Sequence, residues 1–120
     1  MKATYQLYGI ANCDTVKKSR AWLAQQAIMV EFVDFKKQPP TLDKLSQWSQ
    51  QLGWQNLLKK TGTTWRNLAQ SERENLDEAK AIALMHQHIN LIKRPLLVDG
   101  DRIVLAGFKQ AEWEKLDHPA

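Results

Sequence analysis

Residues 4–35 change period twice, and few folds accommodate that. The stretch "TYQLYGI" (4–10) alternates in part, carries strand-forming residues and ends at Gly9. From Thr15 to Gln26 the repeat becomes helical, with Val16, Ser19, Leu23 and Ala27 on one stripe and Lys17, Lys18 and Gln25 off it. Asn12 or Asp14 is placed to cap that helix. "MVEFVDF" (29–35) then alternates cleanly and reads as a second strand. Strand, helix and strand in so short a span predict a βαβ unit with parallel strands.

"KKQPP" interrupts the pattern. A helix is predicted from Thr41 to about Leu52, with Leu42, Leu45, Ser49 and Leu52 on one side, Asp43 in its first turn and Gly53 as its stop. Residues 54–75 read as short helices and turns. A stronger helix runs from about Asp77 to His88, with Ala79, Ile82, Met85 and Ile89 as its apolar stripe. The runs "LLV" and "RIVLAG" are separated by "DGD", a hairpin signal, and "KQAEWEKL" (109–116) closes the chain as a helix. The order is β-α-β, a helical insertion at about 41–90, then β-β-α. A chain of 120 residues is one domain's worth, so the expectation is a single α/β domain over 1–120.

No apolar run reaches the roughly 20 residues that span a bilayer, and the start of the chain lacks a signal peptide's apolar region and cleavage site. One cysteine excludes an internal disulfide and favours a reducing compartment, so the expected location is cytoplasmic. Net charge is +4, and nine of the 17 lysines and arginines fall in four close groups: Lys17/Lys18/Arg20, Lys36/Lys37, Lys59/Lys60 and Lys93/Arg94. No run of five or six like charges indicates a nucleic-acid-binding tail. Each group reads either as a solvated face or as part of a site for a small anion. Five scattered tryptophans suit packing better than a stacking platform for single strands. His86 and His88 are two apart on a predicted helix and face different ways, so no metal site is expected there. His86 near the helix end fits a cation at a C-terminus, with a nucleophile–base pair to Cys13 as the other reading.

Cys13 is the chemical feature of the chain. A lone cysteine is ordinarily a small buried hydrophobe. This one follows a strand, opens a helix and has Asn12, Asp14 and Thr15 as neighbours. Helix-start N–H groups and nearby Lys17, Lys18 and Arg20 favour a thiolate, whereas Asp14 opposes it. The fourth residue of "CDTV" is Val16, where a dithiol oxidoreductase carries its second cysteine. Any redox cycle therefore borrows its second thiol from outside, and glutathione is the abundant cytosolic choice.

Pro95 stands directly before the third predicted strand. A proline is permitted at a strand start. In this element order it also resembles the thioredoxin fold, whose cis-proline lies beside the active cysteine. Three pieces extend the resemblance: "YGIANCDTVKKSRAWL", "LLKK" (57–60) and "LIKRPLLVDGDRIVLAGF" (91–108). With the helical insertion they cover nearly the whole chain, which resembles the arsenate-reductase-related family, ArsC and the Spx regulators. "NCDT", "KRP" and "GF" bring it nearest the YffB-like branch, which resembles glutathione-dependent thiol reductases. The resemblance implies a thioredoxin-like β-α-β…β-β-α mixed sheet with a helical insertion between the halves. The glutaredoxin-linked arsenate reductases use one cysteine and three arginines. By position these fall on Cys13, Lys59, Arg94 and Gly107, so one arginine remains. A lysine lacks the planar fork that suits a tetrahedral oxyanion, and glycine has no charge.

The function expected is single-cysteine thiol–disulfide chemistry, as a glutathione-dependent thiol reductase. Cys13 is the nucleophile, and Asn12, Thr15, Lys59, Arg94 and Pro95 form the binding surround. Thr15 supports the thiolate, Arg94 and Lys59 attract an anionic thiol, and Pro95 shapes the groove. Glutathione, or another small thiol or disulfide, is the expected partner, with glutaredoxin as a second and no resident cofactor, metal, membrane or nucleic acid. Two alternatives are arsenate reduction with glutathione and glutaredoxin, and a non-catalytic Spx-like regulator docking on RNA polymerase. Spx regulators often carry a Cys-x-x-Cys switch, which Val16 removes.

Overall fold

The structure is a computed structural model that describes residues 5–116. In chain order its elements are β1 (Tyr5–Gly9), α1 (Asp14–Gln25), β2 (Val30–Asp34), α2 (Leu42–Leu52), α3 (Trp54–Leu57), α4 (Thr63–Arg66), α5 (Gln70–Arg73) and α6 (Glu78–Gln87). A 3-10 turn (Ile89–Leu91), β3 (Leu96–Asp99), β4 (Arg102–Ala106) and α7 (Gln110–Trp113) follow. Thr4, where the first strand was expected to begin, lies outside the described residues. The chain divides into two compact units, one formed by the residues up to Gln38 with those from Arg94 onward, the other by Pro39–Lys93. Among the described residues no helix is long and apolar enough to cross a membrane.

The first unit holds a four-stranded mixed sheet in the order β2-β1-β3-β4. β1 and β2 are parallel, with Gly9 opposite Asp34; β3 runs antiparallel to β1, and β4 antiparallel to β3. This is the thioredoxin-like α/β arrangement expected from the sequence. The "DGD" signal becomes a tight turn between Asp99 and Arg102 in which Gly100 has φ +63°. Glycine with positive φ at the first central position suits a hairpin turn whose twist matches the strands. The register of β3 on β4 shifts after Leu97, leaving Val104 as an extra residue.

One core of this unit gathers Tyr5, Leu7, Trp22, Leu23, Ile28, Leu97 and Trp113. Trp113 is fully buried, edge-on to Trp22 at 6.0 Å and to Phe108 at 5.1 Å. Its indole N–H donates to the Gly107 carbonyl at 3.0 Å, so the polar end of the ring is satisfied. The closing helix is shorter than predicted, ending at Trp113.

Helix α1 differs from its expected stripe at one end. Val16, Ser19, Trp22 and Leu23 are buried, but Ala27 is exposed with φ +55°. The chain leaves the helix there: Ala27 N–H donates to Ala24 O and Ile28 N–H to Leu23 O. That pair of bonds is the left-handed helix terminus usually built on glycine. Ile28 is buried at the far side of the turn.

In the second unit α2 is capped by the Thr41 hydroxyl, which accepts from Lys44 N–H at 3.1 Å, and ends at Gly53 with φ +83°. Its buried face is Leu45, Trp48 and Ser49; Leu42, expected on that face, is 51% exposed. Asp77 caps α6, whose buried residues are Ala81, Leu84 and Met85 rather than the predicted Ala79 and Ile82 with Met85. "EAKAIALM" is apolar on more than one face, so periodicity alone does not select the buried one. Ser49 and Glu78 join the two helices by a 2.9 Å hydrogen bond. Residues 54–73 form three four-residue helices, as the weak periodicity implied.

Ala27→Gly is expected to raise stability by up to about 1 kcal/mol, because glycine occupies the left-handed region without the clash of a Cβ. Urea unfolding of the two proteins measures it; an unchanged or lower midpoint contradicts the assignment of a left-handed terminus.

Candidate active site

The Cys13 turn is built on the end of β1. A Cβ on Gly9 would lie 2.7 Å from Val16 Cγ2, closer than atoms tolerate. Glycine there lets the first turn of α1 rest directly on the strand. Cys13 N–H donates to Ile10 O at 3.1 Å, closing the turn through Ala11 and Asn12, and Phe35 N–H donates to Gly9 O at 2.8 Å. The chain then enters α1 with Cys13 itself as N-cap, extended at φ −100° and ψ 127°, its carbonyl accepting from Lys17 N–H. This corrects the expectation that Asn12 or Asp14 caps the helix. The Ile10–Cys13 bond sets the last extended residue at position 13, with Asn12 still in the turn and Asp14 already helical.

Partly buried Cys13 thereby directs its sulfur at the helix start. Burial is the largest single influence on the thiol and opposes ionisation. The Val16 N–H, the Arg94 guanidinium as donor and as charge, and the Thr15 N–H together outweigh it, and the pKa is lowered. No hydrogen bond of full capping geometry joins the Cys13 side chain to the helix. The main-chain N–H groups nonetheless sit close enough to favour the charged sulfur, which needs no ideal alignment at this range.

Arg94 reaches this point through the sheet. Tyr8 pairs with Leu96 in the antiparallel β1·β3 ladder, so the entry to β3 lies beside the exit of β1. Pro95 is buried, the Arg94–Pro95 peptide is cis, and the Pro95 carbonyl accepts from Gly107 N–H at 2.8 Å. Gly107 has φ +74° and passes its own carbonyl to the Trp113 indole. A continuous run of bonds thus links the aromatic core to the residue preceding the β3 ladder.

The structure therefore brings together Cys13, Thr15 and Arg94, with Pro95 next to Arg94. Thr15 acts on the sulfur through its main-chain N–H. Asn12 is exposed in the turn. Lys59 belongs to the second unit, where its N–H donates to Leu91 O at 2.7 Å. The cation beside the sulfur is Arg94, whereas Lys17, Lys18 and Arg20 were expected to supply charge from α1. Arg20 instead holds its guanidinium 4.3 Å from the Phe32 ring centre. The specific contribution of Val16 N–H was not read from the sequence, although helix-start N–H groups were; a fixed N-cap would have identified it, since N-cap side chains meet the second and third helical N–H. Among the described residues no three His, Cys, Asp or Glu side chains cluster as metal ligands.

A model of the ArsC family matches residues 8–116. A solved YFFB protein is 43% identical, covers 92% of this chain and 96% of its own, and superposes with a TM-score of 0.87. An arsenate reductase-related protein from Brucella melitensis is 37% identical over 97% of this chain and 98% of its own, with a TM-score of 0.78. An uncharacterised protein of Haemophilus influenzae is 39% identical over 108 residues, 90% of this chain and 94% of that one.

Alkylation of Cys13 by iodoacetamide, followed against pH, is expected to have its midpoint below the roughly 8.5 of free cysteine. Arg94→Gln should move the midpoint up. Because the folded thiol pKa is depressed, the associated stability is fully present above the unfolded pKa and lost as pH falls through the folded one. The stability gap between the parent and Arg94→Gln should therefore widen on going from acid to alkaline pH. A midpoint at or above the free value would refute the thiolate assignment.

Proposed function

Because this chain belongs to the ArsC family, we propose that it is an arsenate-reductase-related thiol–disulfide enzyme that works through Cys13 alone, with glutathione as its thiol co-substrate. The observation that carries this reading is a thiol at the N-cap of α1 whose ionisation is favoured by the Val16 and Thr15 N–H groups and by Arg94. Position 16, where a resolving thiol would stand, is a buried valine.

With a substrate R–S–S–G, where G–S is glutathionyl, the Cys13 thiolate attacks the glutathionyl sulfur. A Cys13–S–S–G bond forms, the S–S bond of the substrate breaks, and R–S⁻ leaves as thiolate and takes a proton from water. A glutathione thiolate then attacks the glutathionyl sulfur of the mixed disulfide. Oxidised glutathione forms and Cys13 leaves as thiolate. The substrate disulfide is reduced and glutathione oxidised, with two electrons transferred. A depressed pKa serves both steps, since it raises the thiolate fraction for attack and makes Cys13 the better leaving group afterwards. Arg94 supports that thiolate, and we assign Asn12, next to Cys13 in the chain, and Pro95, next to Arg94, to the approach to it. Glutathione as partner implies a reducing, cytoplasmic setting.

Arsenate reduction fits less well. Of the three arginine positions the family resemblance implies, Lys59 offers a point charge, and Gly107 has φ +74°, a backbone region that an arginine enters only with strain.

Incubation with oxidised glutathione is expected to add one glutathionyl group at Cys13, read by intact-mass spectrometry, and reduced glutathione should remove it. Cys13→Ser should take up none. Absence of an adduct in the parent overturns the reading. Arsenate should be turned over poorly with glutathione and glutaredoxin; brisk turnover abolished by Cys13→Ser would favour the arsenate alternative instead.

A further inference from the structure

A cavity of about 320 Å³ opens at the carboxyl ends of β1 and β2, lined by Ala11, Arg20, Phe32, Asp34, Lys37 and Gln38. The parallel register sets Gly9 opposite Asp34, and the Phe35 N–H to Gly9 O bond laces the turn after β1 to the turn after β2. The first of these turns leads to Cys13 and the second carries Lys37 and Gln38. Successive Cα atoms are about 3.8 Å apart, so the Cα of Ala11 on the cavity wall lies within roughly 7.6 Å of that of Cys13. Sheets with parallel strands commonly take their ligands beyond these same carboxyl ends.

The lining has a definite charge character. Asp34 is occupied in folding the turn: Oδ1 accepts from Lys36 N–H at 2.9 Å, and its carbonyl accepts from Lys37 N–H at 3.0 Å and Gln38 N–H at 2.8 Å. Arg20 lines the cavity with its guanidinium 4.3 Å from the Phe32 ring centre, and a guanidinium resting on a ring keeps N–H donors for a planar anion. Lys37 adds an ammonium and Gln38 an amide donor. Two cations and a neutral donor against one engaged carboxylate make a site for a small carboxylate.

We propose that this cavity seats a free carboxylate of the small thiol that Cys13 exchanges with, held by Arg20 and Lys37 with Gln38 as a further donor. The inference rests on the thiol–disulfide reading and adds where the co-substrate is recognised and by which chemistry. A neutral disulfide would react at the same sulfur without using the cavity.

The test is the rate of mixed-disulfide formation at Cys13 with oxidised glutathione, divided by the rate with neutral bis(2-hydroxyethyl) disulfide. The ratio cancels differences in active fraction and in intrinsic thiol reactivity. Arg20→Gln and Lys37→Gln should each lower it roughly three- to tenfold, the effect of losing a charge-assisted contact in a half-open site. Arg20→Lys should lower it less, since charge returns without the fork. Lys36→Gln removes the same charge beside the cavity wall and should leave the ratio unchanged. An equal fall in Lys36→Gln would assign the effect to long-range charge and overturn the site. An unchanged ratio in both Arg20→Gln and Lys37→Gln would overturn it too, while the Cys13 adduct and the reading behind it stand. No adduct with either disulfide in the parent would overturn both together. Glutathione disulfide esterified at its glycyl carboxylates identifies the group bound: loss of the preference assigns the glycyl carboxylate, and retention assigns the γ-glutamyl one, each supporting the site.

Discussion

The pairing of Tyr8 with Leu96 decides which cation stands beside the Cys13 thiol. β3 enters the sheet antiparallel to β1, so its first residues stand beside the last residues of β1. Arg94 is thereby delivered to the turn that carries Cys13, although the two are far apart in sequence. A one-residue slip in that register would turn the side chains of β3 to the opposite face. Leu96, Leu97 and Val98 are all buried in that pairing. The electrostatics of the thiol thus rest on the β1·β3 pairing.

At the sulfur, opposing effects meet and those that favour the thiolate prevail. Partial burial disfavours the thiolate, while two main-chain N–H groups and one guanidinium favour it. The N–H groups are fixed by the helix and cannot be altered by substituting side chains at Thr15 or Val16. The guanidinium is the adjustable part. Its placement depends on Pro95, whose carbonyl is held by Gly107, whose own carbonyl is held by Trp113. Core packing and site geometry are therefore coupled along a short chain of hydrogen bonds, and damage to the aromatic cluster would be felt at Arg94.

Gly107 also bears on the arginine position that the family resemblance implies there. The position has a left-handed backbone and serves as a junction between β4 and the Trp113 helix. Glycine suits that junction, and a charged side chain there would need a different backbone. The same end of the sheet carries the cations Arg20 and Lys37 on the β2 side. Anion recognition on that side would favour a carboxylate thiol over an oxyanion seated by three converging guanidiniums.

Much of the fold was legible in local pattern. Alternation marked β1 and β2, Asp-Gly marked the β3–β4 turn, Thr41 and Gly53 marked the ends of α2, and the strand-to-helix junction at Cys13 was where the sequence put it. These features are readable because each depends on neighbours within a few residues. What local pattern misplaced was which face is buried. Leu42 and Ala79 repeat at helical spacing yet are exposed, and Ala27 continues a stripe that the chain has already left. The N-cap was missed by one residue, since Asn12, Cys13 and Asp14 compete for it and the Ile10 hydrogen bond decides. Composition, period and turn chemistry determined the element order and the lone thiol. The tertiary structure decided that Arg94 stands beside that thiol and that Arg20 lies over Phe32. Both outcomes follow from strand pairing and close packing between residues distant in sequence, and no local repeat encodes such contacts.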